Sequence, residues 1–369
     1  MEANPSAWER VFELAERGRF STSPNPRVGA LLLADDGSVV GEGWHERAGG
    51  PHAEVSALRA AGSAARGATL LLNLEPCAHH GRTPPCADAL IAAGVARVVC
   101  SLEDPDPRVA GAGLQRLRDA GVAVEVGAER ERAERLNEPF LVSVRKRRPY
   151  VHLKWAMSLD GKTGTRTGAS KWITGEEARA DAMRLREECD AVLVGAGTVL
   201  ADDPRLSRRL GLNSAIVPYR RIVLDGRLRV TPEAQVFDRA GGETWLVTAR
   251  AAAATVDFEM RGVNVRLLPR STGRRTAVDL ELLLGELHAL EVRSLLVEGG
   301  GETAACFLER GLVDRVTAYV APLLVGGASA PSPLGGKGPL GIAEALRLED
   351  LTVERLGRDL RLSGRVPAR

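Results

Sequence analysis

His52-Ala53-Glu54, Pro76-Cys77 and Cys86 form the most informative pattern in this sequence. One neutral imidazole and two thiolates are ligands for a borderline-soft metal ion such as zinc, and they leave the fourth tetrahedral position open. An open position distinguishes a catalytic zinc site from a structural one. Glu54 follows the histidine at the predicted start of a helix. We therefore expect Glu54 to flank the metal without binding it and to act as a general acid and base.

The order of these residues carries more information than any one of them. Taken singly, each cysteine is explained as a small buried residue and His52 as an ordinary surface side chain. The order His-x-Glu followed by Pro-Cys is typical of zinc deaminases. Cys86 also begins a predicted helix, and a helix N-terminus favours the thiolate form that binds metal.

Helical and extended patterns alternate on both sides of these residues. Asp36-Gly37 predicts a hairpin turn between two short strands. Strands that alternate with helices indicate a layered α/β domain with a mostly parallel sheet. The predicted helices cover residues 7–17, 52–61, 86–93 and 114–120, and the predicted strands cover 28–33, 38–44, 69–74, 95–101 and 122–126.

A charged helical pattern follows and ends in the basic run Arg145-Lys146-Arg147-Arg148. Such a run is either a nucleic-acid patch or a solvated linker, and the near-neutral charge of the chain favours the linker. Pro149 marks the expected boundary. The sequence therefore predicts a first domain at residues 1–127, a linker at 128–148 and a second domain at 149–369.

The second half has an α/β pattern of its own, with no internal repeat of the first. Val297-Glu298-Gly299-Gly300-Gly301 leads from a buried strand through glycines into a helix. These residues alone are equally consistent with a phosphate-binding helix start and with a flexible turn. The predicted strands cover residues 151–155, 191–195, 221–224, 244–248, 263–268, 294–298 and 315–320, and the clearest helices cover 176–188 and 280–289.

Composition narrows the functional classes. The chain has 369 residues, of which 44% are apolar and 27% charged, as expected of a globular protein with two domains. A net charge of +2 and an aromatic content of 4% argue against a nucleic-acid binder. The absence of a long apolar run or secretory signal pattern predicts a cytoplasmic protein with no membrane span, and the five cysteines suggest no disulfide framework.

The spacing of the cysteines points to one family. Zinc deaminases typically have two residues between the cysteines, whereas eight stand here, from Ala78 to Pro85. This longer segment resembles that of the bifunctional riboflavin-biosynthesis deaminase–reductases. The resemblance extends over both halves of the chain, in the family's order: residues 23–29, 43–45 and 52–54, then 154–162, 168–174, 195–198, 202–206 and 297–300.

This resemblance implies two domains and two reactions. The N-terminal domain would be a cytidine-deaminase-like three-layer α/β domain, and the C-terminal one a dihydrofolate-reductase-like α/β domain. The first would remove the 2-amino group of 2,5-diamino-6-ribosylamino-4-pyrimidinone 5′-phosphate with one zinc ion per chain. The second would use NADPH to reduce the ribosyl group of 5-amino-6-(5-phosphoribosylamino)uracil.

The resemblance also implies roles for individual residues. His52, Cys77 and Cys86 would bind zinc, and Glu54 would be the catalytic proton shuttle. The deaminase substrate would contact Asn25, His45, His79 and Arg82. NADPH would contact Ala156, Trp172, Thr198, Asp202, Gly300, Gly301, Glu302 and Thr303. The reductase substrate would contact Ser170, Arg186, Leu206, Arg209 and Glu298, although the sequence leaves open whether Arg208 or Arg209 points inward.

Two other functional classes share part of this pattern. A polynucleotide-editing deaminase has the same zinc and glutamate chemistry but needs a basic groove and stacking aromatics. A non-enzymatic nucleotide-binding regulator with a relict metal site is disfavoured, since the ligands and Glu54 are all present. We expect small phosphorylated pyrimidines as the partners, with no nucleic acid and no membrane, and a homo-oligomeric assembly.

Overall fold

The computed structural model describes residues 5–78, 85–269 and 278–367. Within these ranges the chain divides into two compact units. The first unit contains the chain up to Arg147 together with Leu212–Val217, and the second contains Arg148–Gly211 and the chain from Pro218 onward. No helix in the described ranges is long and apolar enough to cross a membrane.

A five-stranded sheet forms the middle of the first unit. Its strands are β1 (Gly29–Leu33), β2 (Val39–Trp44), β3 (Thr69–Leu72), β4 (Arg97–Cys100) and β5 (Ala123–Val126). They lie in the order β2-β1-β3-β4-β5, and β1 is antiparallel to both of its neighbours, whereas β3, β4 and β5 are parallel. The prediction of a mostly parallel sheet is wrong at this edge, because the turn at Asp36-Gly37 reverses the chain.

Helices cover both faces of this sheet. They are α1 (Pro5–Glu16), α2 (Ala53–Ala61), α3 (Cys86–Ala93), α4 (Ala112–Asp119), α5 (Arg130–Leu136) and α6 (Glu138–Lys146). Successive strand residues point to opposite faces, so Ala30 and Leu32 pack with α2, α3 and α4, whereas Leu31 packs with α1, α5 and α6. The predicted three-layer α/β architecture is confirmed.

The segment expected to be a linker is instead part of the first unit. Residues 130–146 form α5 and α6, and Ala133, Leu136 and Leu141 are buried against Phe12 and Leu31. Charged residues dominate the segment by number, but its few apolar residues lie at helical spacing and form one buried stripe. The basic run at its end coincides with the boundary between the two units, at Arg147/Arg148.

A nine-stranded sheet forms the middle of the second unit. Its strands are β6 (Tyr150–Ser158), β7 (Ala191–Gly195), β8 (Arg220–Leu224), β9 (Glu243–Thr248), β10 (Asn264–Leu267), β11 (Ser294–Val297), β12 (Arg315–Ala321), β13 (Glu349–Leu356) and β14 (Asp359–Arg365). The order is β10-β9-β8-β7-β11-β6-β12-β14-β13. Neighbours are parallel from β10 to β12, and the last two strands are antiparallel.

The accompanying helices are α7 (Glu176–Glu188), α8 (Ala196–Asp202), α9 (Val256–Met260), α10 (Leu280–Ala289) and α11 (Gly301–Glu309). The strands expected from apolar runs are all present. Strands β13 and β14 were not predicted, since charged residues interrupt them and β13 is exposed along nearly its whole length. An exposed edge strand gives no apolar run to detect.

His152 of β6 is buried in the second unit. The Thr317 hydroxyl donates to Ser363 Oγ at 2.9 Å, so its oxygen accepts a hydrogen bond from His152 Nε2 at 2.8 Å. Burial, assisted by Arg315 and Arg361, lowers the pKa of His152 to about 3. The imidazole is therefore neutral in the folded protein at pH values where it is charged in the unfolded chain.

This difference predicts an acid sensitivity of the second unit. Because the unfolded chain binds the extra proton, the stability that neutral His152 supports is present above pH ~6.5 and is lost progressively toward pH ~3. At about 1.4 kcal/mol per pKa unit, protonation of His152 in the unfolded chain should lower the free energy of unfolding by about 2 kcal/mol between pH 7 and pH 5. Urea unfolding at both pH values should show that the free energy of unfolding falls less in His152→Gln than in the wild type. Equal losses would contradict the assignment.

Candidate metal centre and ligand sites

Three potential ligand atoms meet at the N-terminus of α2. His52 is the N-cap of α2, and Cys86 is the first residue of α3. His52 Nδ1 lies 3.1 Å from Cys86 Sγ and 3.6 Å from Cys77 Sγ, and all three ligand atoms lie within 4.8 Å of one another. Tetrahedral zinc with bonds of about 2.0 Å to nitrogen and about 2.3 Å to sulfur separates such atoms by roughly 3.5 Å. The donor set therefore fits zinc in chemistry and in spacing.

The surroundings of Cys77 favour its thiolate. The Cys86 amide donates to Cys77 Sγ at 3.4 Å. The hydrogen bond from the Cys86 side chain lowers the pKa of the Cys77 thiol, with further lowering by His52, and together they outweigh the effect of burial. Since the thiolate is the form that binds a metal, this arrangement prepares the site for an ion.

Glu54 lies in the first turn of α2, beside the ligands. It is 3% exposed, and burial raises the pKa of its carboxyl. A carboxyl with a raised pKa exchanges a proton more readily near neutral pH than an ordinary glutamate does. This environment suits a general acid and base.

Asn25 and His45 form a hydrogen-bonded pair beside the cluster. His45 Nδ1 donates to the Pro51 carbonyl oxygen at 3.0 Å, so His45 Nε2 accepts from Asn25 Nδ2 at 3.0 Å. Burial lowers the pKa of His45, so the ring stays neutral and keeps the tautomer that these two hydrogen bonds require. The His45 ring meets the His52 ring edge-on, with centroids 5.5 Å apart.

These residues share one cavity of about 170 Å³. Asn25, His45, His52, Glu54 and Cys77 all line it. The expected substrate contacts His79 and Arg82 lie outside the described residues. The cavity wall also includes residues that the sequence did not indicate, namely Leu74, Glu75, Asp104, Asp106, Arg108, Val109 and Phe140. The position of the loop after β4 could have indicated the residues of that loop, because it lies at the same edge of the sheet as the turn after the parallel neighbour β3.

In the second unit, β11 ends between two parallel strands, β7 and β6, that continue beyond it. Val297, the last residue of β11, pairs with Leu193 of β7 and with Leu153 of β6. The next residue, Glu298, donates its amide to the Leu193 carbonyl oxygen at 2.9 Å. Ligands of parallel α/β sheets bind at this edge.

Glu298 and Arg186, both expected to contact substrate, are paired with each other. Arg186 Nε and Nη2 donate to the two Glu298 carboxylate oxygens at 2.9 and 2.6 Å, and Lys154 Nζ lies 3.8 Å from Glu298 Oε2. Burial disfavours the charge on Glu298, but Arg186 and Lys154 outweigh it and lower its pKa to about 2. The carboxylate is thus ionised and fixed in orientation.

The start of α8 and the glycines before α11 lie close together. A Cβ on Gly195 would stand 2.3 Å from Thr303 Oγ1, and one on Gly299 would stand 3.3 Å from Thr198 Oγ1. Gly300 is the N-cap of α11 at φ +81°, a conformation that suits glycine. Because Gly300 has no side chain to cap the helix, the first N–H groups of α11 fit an anionic group such as a cofactor phosphate.

Ser170 and Asp202 meet at the other end of α8. The Ser170 hydroxyl donates to Asp202 Oδ1 at 2.8 Å. Trp172 is 68% exposed, and the Arg179 guanidinium stacks 4.7 Å from its ring centroid. Ala156 instead packs with α7 near Tyr319.

The structure distinguishes Arg208 from Arg209. Arg208 turns inward, where its guanidinium stacks 4.3 Å from the Tyr219 ring centroid and donates to the Cys189 carbonyl oxygen. Arg209 is exposed, and its amide donates to Glu187 at 3.0 Å. Leu206 is buried, and its carbonyl oxygen accepts a hydrogen bond from the Tyr219 hydroxyl at 2.8 Å.

Comparison with known proteins finds a family match for each half of the chain. Residues 149–362 match the RibD C-terminal domain family, and residues 1–102 match the zinc-binding region of cytidine and deoxycytidylate deaminases. The riboflavin biosynthesis protein RibD of Escherichia coli (strain K12) is 46% identical over 327 residues, which cover 86% of this chain and 87% of that protein. The chain belongs to the RibD family.

Solved RibD structures have the same architecture. Acinetobacter baumannii RibD, form 1, is 39% identical with a TM-score of 0.86, and the match covers 99% of this chain and 98% of that one. The Thermotoga maritima deaminase/reductase is 33% identical with a TM-score of 0.82, and the match covers 98% of each chain. This RibD chain is therefore a bifunctional deaminase–reductase of riboflavin biosynthesis, with a cytidine-deaminase-like first unit and a dihydrofolate-reductase-like second unit. The alternative of a non-enzymatic regulator is wrong.

The RibD metal centre yields a direct test of its ligands. We expect about one zinc per chain in the wild type and loss of zinc in Cys77→Ser and in Cys86→Ser, because a neutral hydroxyl is a poor zinc ligand. Elemental analysis of the purified proteins measures this. Cys306→Ser, which changes a buried cysteine of the second unit, is the matched control and should keep its zinc. Unchanged zinc in both ligand variants would contradict the site.

Proposed function

We propose that this RibD family member removes the 2-amino group of 2,5-diamino-6-ribosylamino-4-pyrimidinone 5′-phosphate by hydrolysis. The Thermotoga maritima relative is described as a diaminohydroxyphosphoribosylaminopyrimidine deaminase and 5-amino-6-(5-phosphoribosylamino)uracil reductase. The observation that carries the proposal is the meeting of His52, Cys77 and the buried Glu54 on one cavity.

Glu54 is the proton carrier of this reaction. His52, Cys77 and Cys86 would hold the zinc, which would make water nucleophilic at neutral pH. Glu54 is placed to take a proton from the attacking water and to deliver it to the ring and to the leaving amine. The water oxygen bonds to the ring carbon, the carbon–nitrogen bond breaks and ammonia leaves.

Asn25 and His45 orient the pyrimidine. The hydrogen bond between their side chains fixes the orientation in which the Asn25 amide meets the ring edge. His79 would border the ring and Arg82 would bind the phosphate, and both assignments stay predictions from the sequence. A guanidinium suits the second role because its planar fork matches phosphate oxygens.

The second unit then reduces the ribosyl group of 5-amino-6-(5-phosphoribosylamino)uracil. NADPH would supply a hydride to C1 of the opened sugar, and a proton taken up with it would complete the ribitylamino product. The N–H groups at the start of α11 would bind a cofactor phosphate. The residues assigned to the cofactor are Ala156, Trp172, Thr198, Asp202, Gly300, Gly301, Glu302 and Thr303. Those assigned to the substrate are Ser170, Arg186, Leu206, Arg209 and Glu298.

The pairing of Arg186 with Glu298 refines the substrate assignment. Both Glu298 oxygens accept hydrogen bonds from Arg186, so Arg186 serves to aim the carboxylate at the substrate. Small phosphorylated pyrimidines are the partners, and no nucleic acid takes part. Assembly into a homo-oligomer and a cytoplasmic location stay predictions from the sequence.

A single product analysis tests both reactions. The purified enzyme is supplied with the diamino-pyrimidinone phosphate, with and without NADPH, and the products are identified by mass spectrometry. Without NADPH, one amino group should be replaced by oxygen with release of ammonia. With NADPH, the product should also gain two hydrogens. An unchanged substrate in the presence of bound zinc would contradict the proposal.

A further inference from the structure

Glu75 lies between β3 and Cys77, and it is 5% exposed. Its Oε2 accepts hydrogen bonds from the amides of Asp104 and Gly111, at 3.1 and 2.9 Å. Its Oε1 accepts from the amides of Gly113 and Leu114, at 2.9 and 3.4 Å. One buried carboxylate thus binds four backbone N–H groups distant from it in sequence.

These donors belong to the two ends of one loop and to the helix that follows it. Asp104 begins the loop, whereas Gly111 ends it as the N-cap of α4 at φ +85°. A glycine N-cap cannot satisfy the first N–H groups of its helix. Glu75 satisfies them from the segment that follows β3, and the same carboxylate closes the loop.

The loop that Glu75 closes forms part of the wall of the deaminase cavity. Asp104, Asp106, Arg108 and Val109 all line that cavity, together with His52, Cys77 and Glu75 itself. Gly113 is also in close contact with the metal-binding segment, since a Cβ there would lie 1.8 Å from the Pro76 carbonyl oxygen. Glu75 therefore connects this wall to the segment that carries the ligand Cys77.

We infer that Glu75 is a positioning residue for pyrimidine binding in the deaminase reaction. Its carboxylate fixes the 104–111 loop relative to Cys77, and so sets the width of the cavity in which the ring lies. Although Glu75 lines the cavity, both of its carboxylate oxygens are occupied by backbone N–H groups, so it acts through the backbone of that loop and through neither the metal nor the proton transfer. The inference rests on the proposed deaminase function.

Glu75→Gln tests this role, with Glu42→Gln as the matched control. The amide keeps the shape of Glu75, but its NH₂ group is a donor and cannot accept hydrogen bonds from the N–H groups that the carboxylate oxygen bound. Glu42→Gln makes the same chemical change in the same unit, where it weakens the hydrogen bonds from Arg10 at 2.9 and 2.7 Å. Glu42 is not among the residues that line the cavity.

The expected result combines three measurements. The KM of deamination should rise at least about tenfold in Glu75→Gln, the equivalent of one lost hydrogen bond to a charged group, while kcat changes less. Hydrogen exchange of the amides of residues 104–114 should accelerate locally, without substrate. Zinc content and the rate of reduction should match the wild type, and Glu42→Gln should change none of these quantities.

Several results would overturn the inference. An unchanged KM would do so, as would unchanged exchange at residues 104–114, or zinc loss confined to Glu75→Gln, which would indicate an effect on the metal. If Glu75→Gln does not fold, Glu75→Asp replaces it, because its shorter side chain cannot reach both ends of the loop and should raise KM in the same way. A wild type that releases no ammonia would overturn the proposed function and this inference together, whereas normal wild-type deamination with an unaffected variant would overturn the inference alone.

Discussion

Glu54→Gln is expected to lower ammonia release by a factor of about 10²–10⁴ while zinc stays bound. The substitution preserves the size of a side chain that is 3% exposed in the first turn of α2. It removes the group that accepts the proton from water. The ligands His52, Cys77 and Cys86 are untouched, so the metal content should not change.

The two reactions of the enzyme supply the control for this variant. Glu54→Gln should reduce a supplied deaminated substrate with NADPH at the wild-type rate, because the reductase residues belong to the second unit. Glu42→Gln should leave both reactions unchanged. Substantial ammonia release by Glu54→Gln with full zinc occupancy would show that another group carries the proton. Loss of both activities in a folded variant would contradict the assignment of the reactions to separate sites.

The deaminase site was predictable to the extent that its residues form local motifs. His52 and Glu54 are neighbours on one helix, and Cys86 begins the next, so spacing and helix position were sufficient to place the cluster. The wall at Asp104 was not predictable, because it depends on the parallel pairing of β3 with β4 and on a single distant carboxylate. The linker prediction was wrong because it relied on the number of charged residues in the segment and overlooked the few apolar residues that form a buried stripe.

The reductase site shows a different limit. The resemblance named Arg186 and Glu298 separately as substrate contacts, but they are 112 positions apart and nothing local indicates that they pair. Their contact arises because Arg186, near the end of α7, reaches the residue that follows β11. Likewise, the choice between Arg208 and Arg209 depended on the position of the Tyr219 ring, which sequence spacing does not contain.

Glu298→Gln is expected to lower the rate of reduction by about 10²-fold or more. Removing one preorganised polar group from an active site costs about 2.7–4 kcal/mol of transition-state stabilisation, and each 1.4 kcal/mol corresponds to a factor of ten in rate. The variant leaves the positive charges of Arg186 and Lys154 without the carboxylate that balances them. It also removes the anionic group that we propose to meet the substrate. The measurement is NADPH oxidation with the deaminated substrate.

A matched substitution separates this effect from a general loss of charge. Glu349→Gln removes the partner of Arg365 in a pair at 2.6 Å, but both side chains are nearly half exposed, and such pairs contribute about 0–1 kcal/mol. It should therefore reduce at the wild-type rate, and both variants should release ammonia normally. If Glu298→Gln folded, bound NADPH and reduced the substrate as fast as Glu349→Gln, then the Glu298 carboxylate would have no part in the reaction. Its bond to Arg186 would then serve only to hold α7 against the sheet.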